Sequence, residues 1–157
     1  MNIEPTKIED IYAINPRDES DMEWREFLHG VADRNTLEQY VSVYCRTLRK
    51  GDKIIAIAGV TSLWPGVGEI WICIDKDAGQ VRFSLTRKIL ELIPIARDIL
   101  DAHRLQITVH PDRKEFMEFL LHIGFDSEGP VHSYIRYGED YQMFYQLFPP
   151  HERLVAA

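Results

Sequence analysis

The segment Glu69–Asp75, EIWICID, constrains the chain more than any other. Successive side chains of a strand face opposite sides, so Ile70, Ile72 and Ile74 share one face and Glu69, Trp71, Cys73 and Asp75 the other. Both faces are mostly apolar, which is the pattern of a central strand with neighbours on either side. The rest of the sequence must supply those neighbours.

Hydrophobic spacing supplies them on both sides of Glu69 in the sequence. Ile3 ahead of Pro5 predicts a short first strand, and Ile8, Ile11 and Tyr12 a helical turn beginning at Thr6 or Lys7. Trp24, Phe27, Leu28 and Val31 form the apolar stripe of a second helix, and Thr36–Tyr40 extends it or starts another. Val41–Leu48 and Lys53–Leu63, rich in β-branched residues and separated by a polar turn, predict a hairpin that the run Trp64-Pro65-Gly66-Val67-Gly68 ends. After a loop at Lys76–Gln80, Val81–Ala102 has helical periodicity, with Pro94 predicting a kink or two successive helices. Leu105–Val109 predicts a strand closed by His110-Pro111. Asp112 and Glu115 suggest a capping box for the next helix, which Phe116, Phe119, Leu120 and Ile123 line and Gly124 ends. Val131–Tyr137 and Gln142–Phe148 predict a terminal hairpin. The expected fold is a single α/β domain over residues 1–150, a mixed central sheet flanked by helices, with 151–157 a loose tail.

Composition removes several functional classes. A formal charge of −7 with the 18 Lys and Arg residues scattered along the chain disfavours nucleic-acid binding. No apolar run approaches the length of about 18 residues that a membrane span needs, and the amino terminus lacks the basic-then-apolar order of a secretory signal. Cys45 and Cys73 lie in apolar strand-like runs, as buried free thiols do, and a cytoplasmic setting is expected. The six histidines show no metal-ligand spacing, so no metal site is expected, and no Gly-x-Ser-x-Gly elbow occurs.

The element order, the opening MNIEPTKIEDIYAI and the helix EFMEFLLHIGF, ending in Gly124-Phe125, resemble the GNAT N-acetyltransferase family. That resemblance implies acetyl-CoA or CoA bound beside the central strand, its pantetheine pairing with backbone at Ile72 and Ile74. It aligns Lys76, Asp77, Ala78, Gly79, Gln80 and Val81 with the family's Arg/Gln-x-x-Gly-x-Gly/Ala phosphate loop, followed by Arg82. Val81 departs from the small residue of the pattern. In the last helix Arg113 stands where the family has a cofactor-contacting Asn, Phe116 replaces Ala, and Leu120 replaces the Tyr that protonates the thiolate.

Two residues are assigned catalytic roles on this resemblance: Glu69 as general base toward an amine substrate, ahead of Asp75 and His110, and Tyr134 as proton donor, ahead of Tyr137 and His122. FLLHIGF, the altered phosphate loop and the aromatic FYQLF hairpin are also similar to small GNAT-like proteins of tailed bacteriophages, some of them virion-associated. Two readings follow. One is an acyl-CoA-dependent N-acyltransferase in the cytoplasm. The other is a non-catalytic GNAT-fold protein of the virion or its assembly, binding a virion component or its own kind through Tyr141, Phe144, Tyr145 and Phe148.

Overall fold

The computed structural model describes residues 2–17, 35, 38, 41, 43–78, 82–134 and 136–149. Its elements run β1 Asn2–Pro5, α1 Ile8–Ala13, β2 Tyr44–Lys50, β3 Lys53–Trp64, β4 Val67–Ile74, α2 Arg82–Leu100, β5 Arg104–Val109, α3 Lys114–His122, β6 Asp126–Val131 and β7 Tyr141–Leu147. The strands hydrogen-bond in the order β1-β2-β3-β4-β5-β7-β6. β4 and β5 pair in parallel, whereas β1 with β2, β2 with β3, β5 with β7 and β6 with β7 pair antiparallel. This is the mixed-sheet α/β class expected from the sequence. Every residue of β4 is buried, as its two apolar faces require.

The chain separates into two compact units, Met1–Thr61 with Ile70–Leu92 and Ser62–Glu69 with Ile93–Ala157, so that β3, β4 and α2 each contribute to both. In the first unit Ile11, Ile14, Cys45, Ile54, Ile57, Trp71 and Cys73 form the core. Asp10 fastens α1 to β2. Its buried carboxylate accepts the Lys7 amide at 3.0 Å and the Thr47 hydroxyl at 2.9 Å, and pairs with the Arg49 guanidinium. In the second unit Leu105, Ile107, Val109, Leu120, Phe125, Tyr141 and Phe144 are buried. Gly124, at φ +100°, ends α3 in the left-handed region, and the Phe125 amide then closes on the Leu120 carbonyl at 2.9 Å.

Three local expectations are corrected and one open alternative is narrowed. Val41 and Val43 are helical, so the strand predicted from Val41 begins at Tyr44. Of the two outcomes expected at Pro94, a kink or two successive helices, the second does not occur, because Pro94 lies inside the single helix α2. Ile93 and Ala96 bury themselves on either side of it, and that burial opposes the loss of one backbone bond. No capping box forms at Asp112: α3 begins at Lys114 after Arg113, and the Asp112 amide donates to His110 Nδ1 instead. The terminal hairpin pairs Asp126–Val131, not Val131–Tyr137, with β7. DSEGPV lacks apolar alternation because β6 is an exposed edge strand, whose register shifts between Ser127 and Gly129. The second helix expected within 15–33 and the tail 151–157 lie outside the described residues, as does most of Thr36–Tyr40.

Gly59 tests the packing of the first unit. A Cβ built there would stand 2.8 Å from Cζ2 of Trp71, one of the most completely buried side chains. Gly59→Ala is therefore expected to lower stability by about 1–3 kcal/mol, the usual cost of overfilling a close-packed core. The urea unfolding midpoint measures this. An unchanged midpoint would mean that Trp71 yields freely.

Candidate active site

β4 and β5 are held in parallel by three register pairs, Val67 with Arg104, Gly68 with Leu105 and Glu69 with Gln106. Glu69 is the last of them and leaves only 7% of its surface exposed. A carboxylate so placed needs donors, because burial otherwise disfavours its charge. The Tyr134 hydroxyl donates to Glu69 Oε1 at 3.2 Å, and the Thr108 hydroxyl approaches the same oxygen at 3.5 Å. Thr108 comes from β5, two residues beyond Gln106, and Tyr134 from the loop joining β6 to β7. The two residues assigned catalytic roles from the sequence, 65 positions apart, are thus in direct contact.

Burial pushes the Glu69 carboxyl above its ordinary range, and the two hydroxyl donors pull it back only in part. Tyr134 keeps about a third of its surface open while its ring leans on Tyr141, with centroids 5.6 Å apart. Tyr141 in turn meets the His110 ring edge-on at 5.4 Å. The result is a buried carboxyl whose proton is held more firmly than usual, beside a solvent-reaching phenol, an arrangement suited to moving a proton.

The other candidate residues are distributed differently. Asp75 is a structural carboxylate: Oδ2 accepts the Asn15 amide and Oδ1 the Asp77 amide, each at 3.0 Å. His110 closes the end of β5, its Nδ1 accepting from Asp112 and its Nε2 facing Glu139. Tyr137 and His122 are exposed, and Leu120, only 1% exposed, is a core residue with no proton to give. Among the cofactor positions, Ile72 and Ile74 are buried in β4, and the Ile74 carbonyl accepts the Arg17 amide at 2.7 Å. Lys76 is exposed and Ala78 buried. Their amides and that of Asp77 are all engaged, with Asn15, Asp75 and Asp75 respectively. The negative charge of Asp77 is met by Lys53 at 2.8 Å, which holds the carboxyl below its usual range. Arg82 is the first residue of α2, and Arg113 sits immediately before α3. Gly79, Gln80 and Val81 lie outside the described residues.

Other chemistry finds little support in the geometry. Cys45 and Cys73 are both buried free thiols, and burial pushes Cys45 up to about 12, so it is not a thiolate at neutral pH. Among the described residues no group of three or more His, Cys, Asp or Glu side chains is arranged to hold a metal ion, and no helix is long and apolar enough to cross a membrane. The aromatic residues of the terminal hairpin are taken up in packing. Tyr141 and Phe144 are buried, and the Arg104 and Arg97 guanidiniums cover the Tyr145 and Phe148 rings.

Thr108 was not singled out from the sequence. Its signal is parity: in RLQITV, Leu105, Ile107 and Val109 share one face, leaving Gln106 and Thr108 together on the other. Nothing in the sequence tells that this face meets Glu69.

No family model matches the chain, and no curated protein matches it. Solved structures do match. A ribosomal-protein-alanine N-acetyltransferase from Brucella melitensis aligns over 94% of this chain and 100% of its own, with a TM-score of 0.68 at 12% identity. A GNAT-family acetyltransferase from Bacillus anthracis aligns over 92% and 93%, with a TM-score of 0.66 at 15% identity. A Bacillus subtilis acetyltransferase in complex with CoA aligns over 94% and 97%, with a TM-score of 0.63 at 15% identity. The chain has the fold of the GNAT acetyltransferases. At these identities it is the fold that is shared, and the resemblance first seen in EFMEFLLHIGF holds at that level.

The raised Glu69 carboxyl has a consequence for stability. Its folded value lies above the ordinary 4.5, so between the two values the folded state keeps a proton that the unfolded chain releases. The contribution is complete below the ordinary value and is lost as pH rises through the raised one. Glu69→Gln, always neutral, should remove this loss. Its melting temperature is expected to gain on that of the wild type as pH is raised from 4 to 8, and parallel curves would show that Glu69 ionises without penalty.

Proposed function

We propose that the protein is an acyl-CoA-dependent N-acyltransferase acting on an amine, with Glu69 as general base. The observation that carries this reading is the hydrogen bond between Glu69 and Tyr134 at the end of the parallel β4–β5 register. The fold shared with acetyltransferases, one of them solved with CoA, agrees with it.

The residues present fit such a ligand. Backbone groups alternate in direction along a strand, and the Asp75 amide bonds to Ile55 of β3, so Ile72 and Ile74 present theirs to the opposite edge. The Ile74 carbonyl is taken there by Arg17, which favours Ile72 as the position for a pantetheine amide. Because the amides of Lys76, Asp77 and Ala78 are consumed internally, phosphate donors fall to the segment from Gly79 onward and to the first turn of α2, which opens at Arg82. Exposed Lys76 adds positive charge, and the Lys53–Asp77 pair removes the repulsion that Asp77 alone would bring.

Bound acyl-CoA supplies a thioester whose acyl carbon passes to nitrogen as the carbon–sulfur bond breaks, releasing the CoA thiol. The protein's task is the proton that nitrogen loses. Glu69 accepts it at Oε2, the oxygen engaged by neither hydroxyl, while Tyr134 and Thr108 steady the carboxylate through Oε1. A carboxyl raised toward neutrality is a stronger base than an ordinary one, which suits it to this transfer. Tyr134, about a third open to solvent, is the phenol hydrogen-bonded to Glu69 and the candidate to return a proton to sulfur, the part that Leu120 leaves vacant.

Three measurements test the reading. Millimolar acetyl-CoA should raise the melting temperature by mass action. Glu69→Gln should lower kcat/KM by about 10² to 10⁴, the usual worth of a general base. The wild-type kcat/KM should rise with pH through the raised Glu69 value and then level. No thermal shift, or turnover indifferent to Glu69→Gln, would overturn the assignment.

A further inference from the structure

Tyr134 belongs to a loop, and a hydrogen bond from a loop to a buried carboxylate lasts only if the loop backbone is fixed. Three side-chain bonds close within the loop itself. The Ser133 amide donates to Asp140 Oδ1 at 3.0 Å, the Gly138 amide to Ser133 Oγ at 2.8 Å, and His132 pairs with Asp140 at 2.7 Å. Such bonds give the loop a shape without deciding where it stands. Glu139 is different, because it reaches β5.

The His110 ring follows the last residue of β5 and is set edge-on against buried Tyr141. Its Nδ1 accepts the Asp112 amide at 3.2 Å, which leaves the ring proton on Nε2, and Nε2 donates to Glu139 Oε1 at 3.0 Å. Glu139 passes this anchorage on through its backbone, where its carbonyl accepts the Tyr134 amide at 3.1 Å. Of the other charged groups nearby, Arg136 lies 4.0 Å from Glu139 Oε2, and the Asp112 carboxylate 3.6 Å from His110 Nδ1.

We propose that Glu139 is a positioning residue: tied to His110 by its side chain and to Tyr134 by its carbonyl, it keeps the Tyr134 hydroxyl on Glu69. It touches no reacting atom and acts through Tyr134. The role serves the acyl transfer proposed above, but it can be read on Glu69 itself, with no turnover required.

The experiment is a carbon-13 NMR titration of the Glu69 carboxyl, assigned by its loss in Glu69→Gln. Tyr134→Phe removes a donor that favours the carboxylate and should raise the Glu69 midpoint by roughly 0.5 to 1 pH unit, the worth of one ordinary hydrogen bond. Glu139→Ala should raise it by most of the same amount, and Tyr134→Phe with Glu139→Ala should raise it no further than Tyr134→Phe alone. Glu139→Gln keeps an acceptor for His110 and should restore the wild-type midpoint. Simple loss of a negative charge near Glu69 would instead lower the midpoint, so the sign separates positioning from electrostatics. A Glu139→Ala midpoint at or below the wild-type value, additive shifts in the double variant, or no shift in Tyr134→Phe would each overturn the proposal. If the shifts appear while no acyl transfer is found, the tether stands and the reaction falls.

Discussion

A carboxylate in a strand buried along its whole length is the constraint around which the candidate site is arranged. β4 exposes none of its residues appreciably, yet it carries Glu69. An ionised side chain there loses hydration that only fixed donors can replace. Two hydroxyls replace part of it, one from β5 and one from the β6–β7 loop, and the carboxyl remains raised. Incomplete compensation is what the proposed role of Glu69 as a base calls for: a fully satisfied carboxylate would be a weak base, and an unsatisfied one would stay protonated.

The same logic separates Glu69 from the two other buried carboxylates of the described residues, Asp10 and Asp75. Asp10 meets a guanidinium, a hydroxyl and an amide, and Asp75 receives two backbone amides. Each joins segments distant in sequence, α1 to β2 in one case and Asn15 to the end of β4 in the other. They are construction, fully bonded to backbone or to an opposite charge. Among the hydrogen bonds given for the three, those of Glu69 alone come from hydroxyls without a backbone amide or an opposite charge, and one of those hydroxyls belongs to a side chain that reaches solvent.

Much of the fold was legible because it rests on periodicity. EIWICID announced a central strand, FMEFLLHIGF a helix stopped by glycine, and KIIAIAGV a neighbouring strand. The misreadings came where a local rule met a competitor. Asp112 lost its capping role to the His110 ring, and DSEGPV paired as an edge strand that needs no apolar face. In each case a partner distant in space, or the lack of one, outweighed the residue's own preference.

The sequence by itself determined the alternation that buries Glu69, the apolar stripes that order the elements, and the departures at Val81, Arg113, Phe116 and Leu120 from the family's pattern. These are properties of neighbouring residues, and spacing along the chain expresses them. Only the tertiary structure decided that Thr108 and Tyr134 meet Glu69, that the Lys76–Ala78 amides are already spent, and that Glu139 fastens the loop to His110. Hydrogen bonds across such separations have no periodic signature, because they depend on which strand the sheet order sets beside β4 and on where a loop comes to rest.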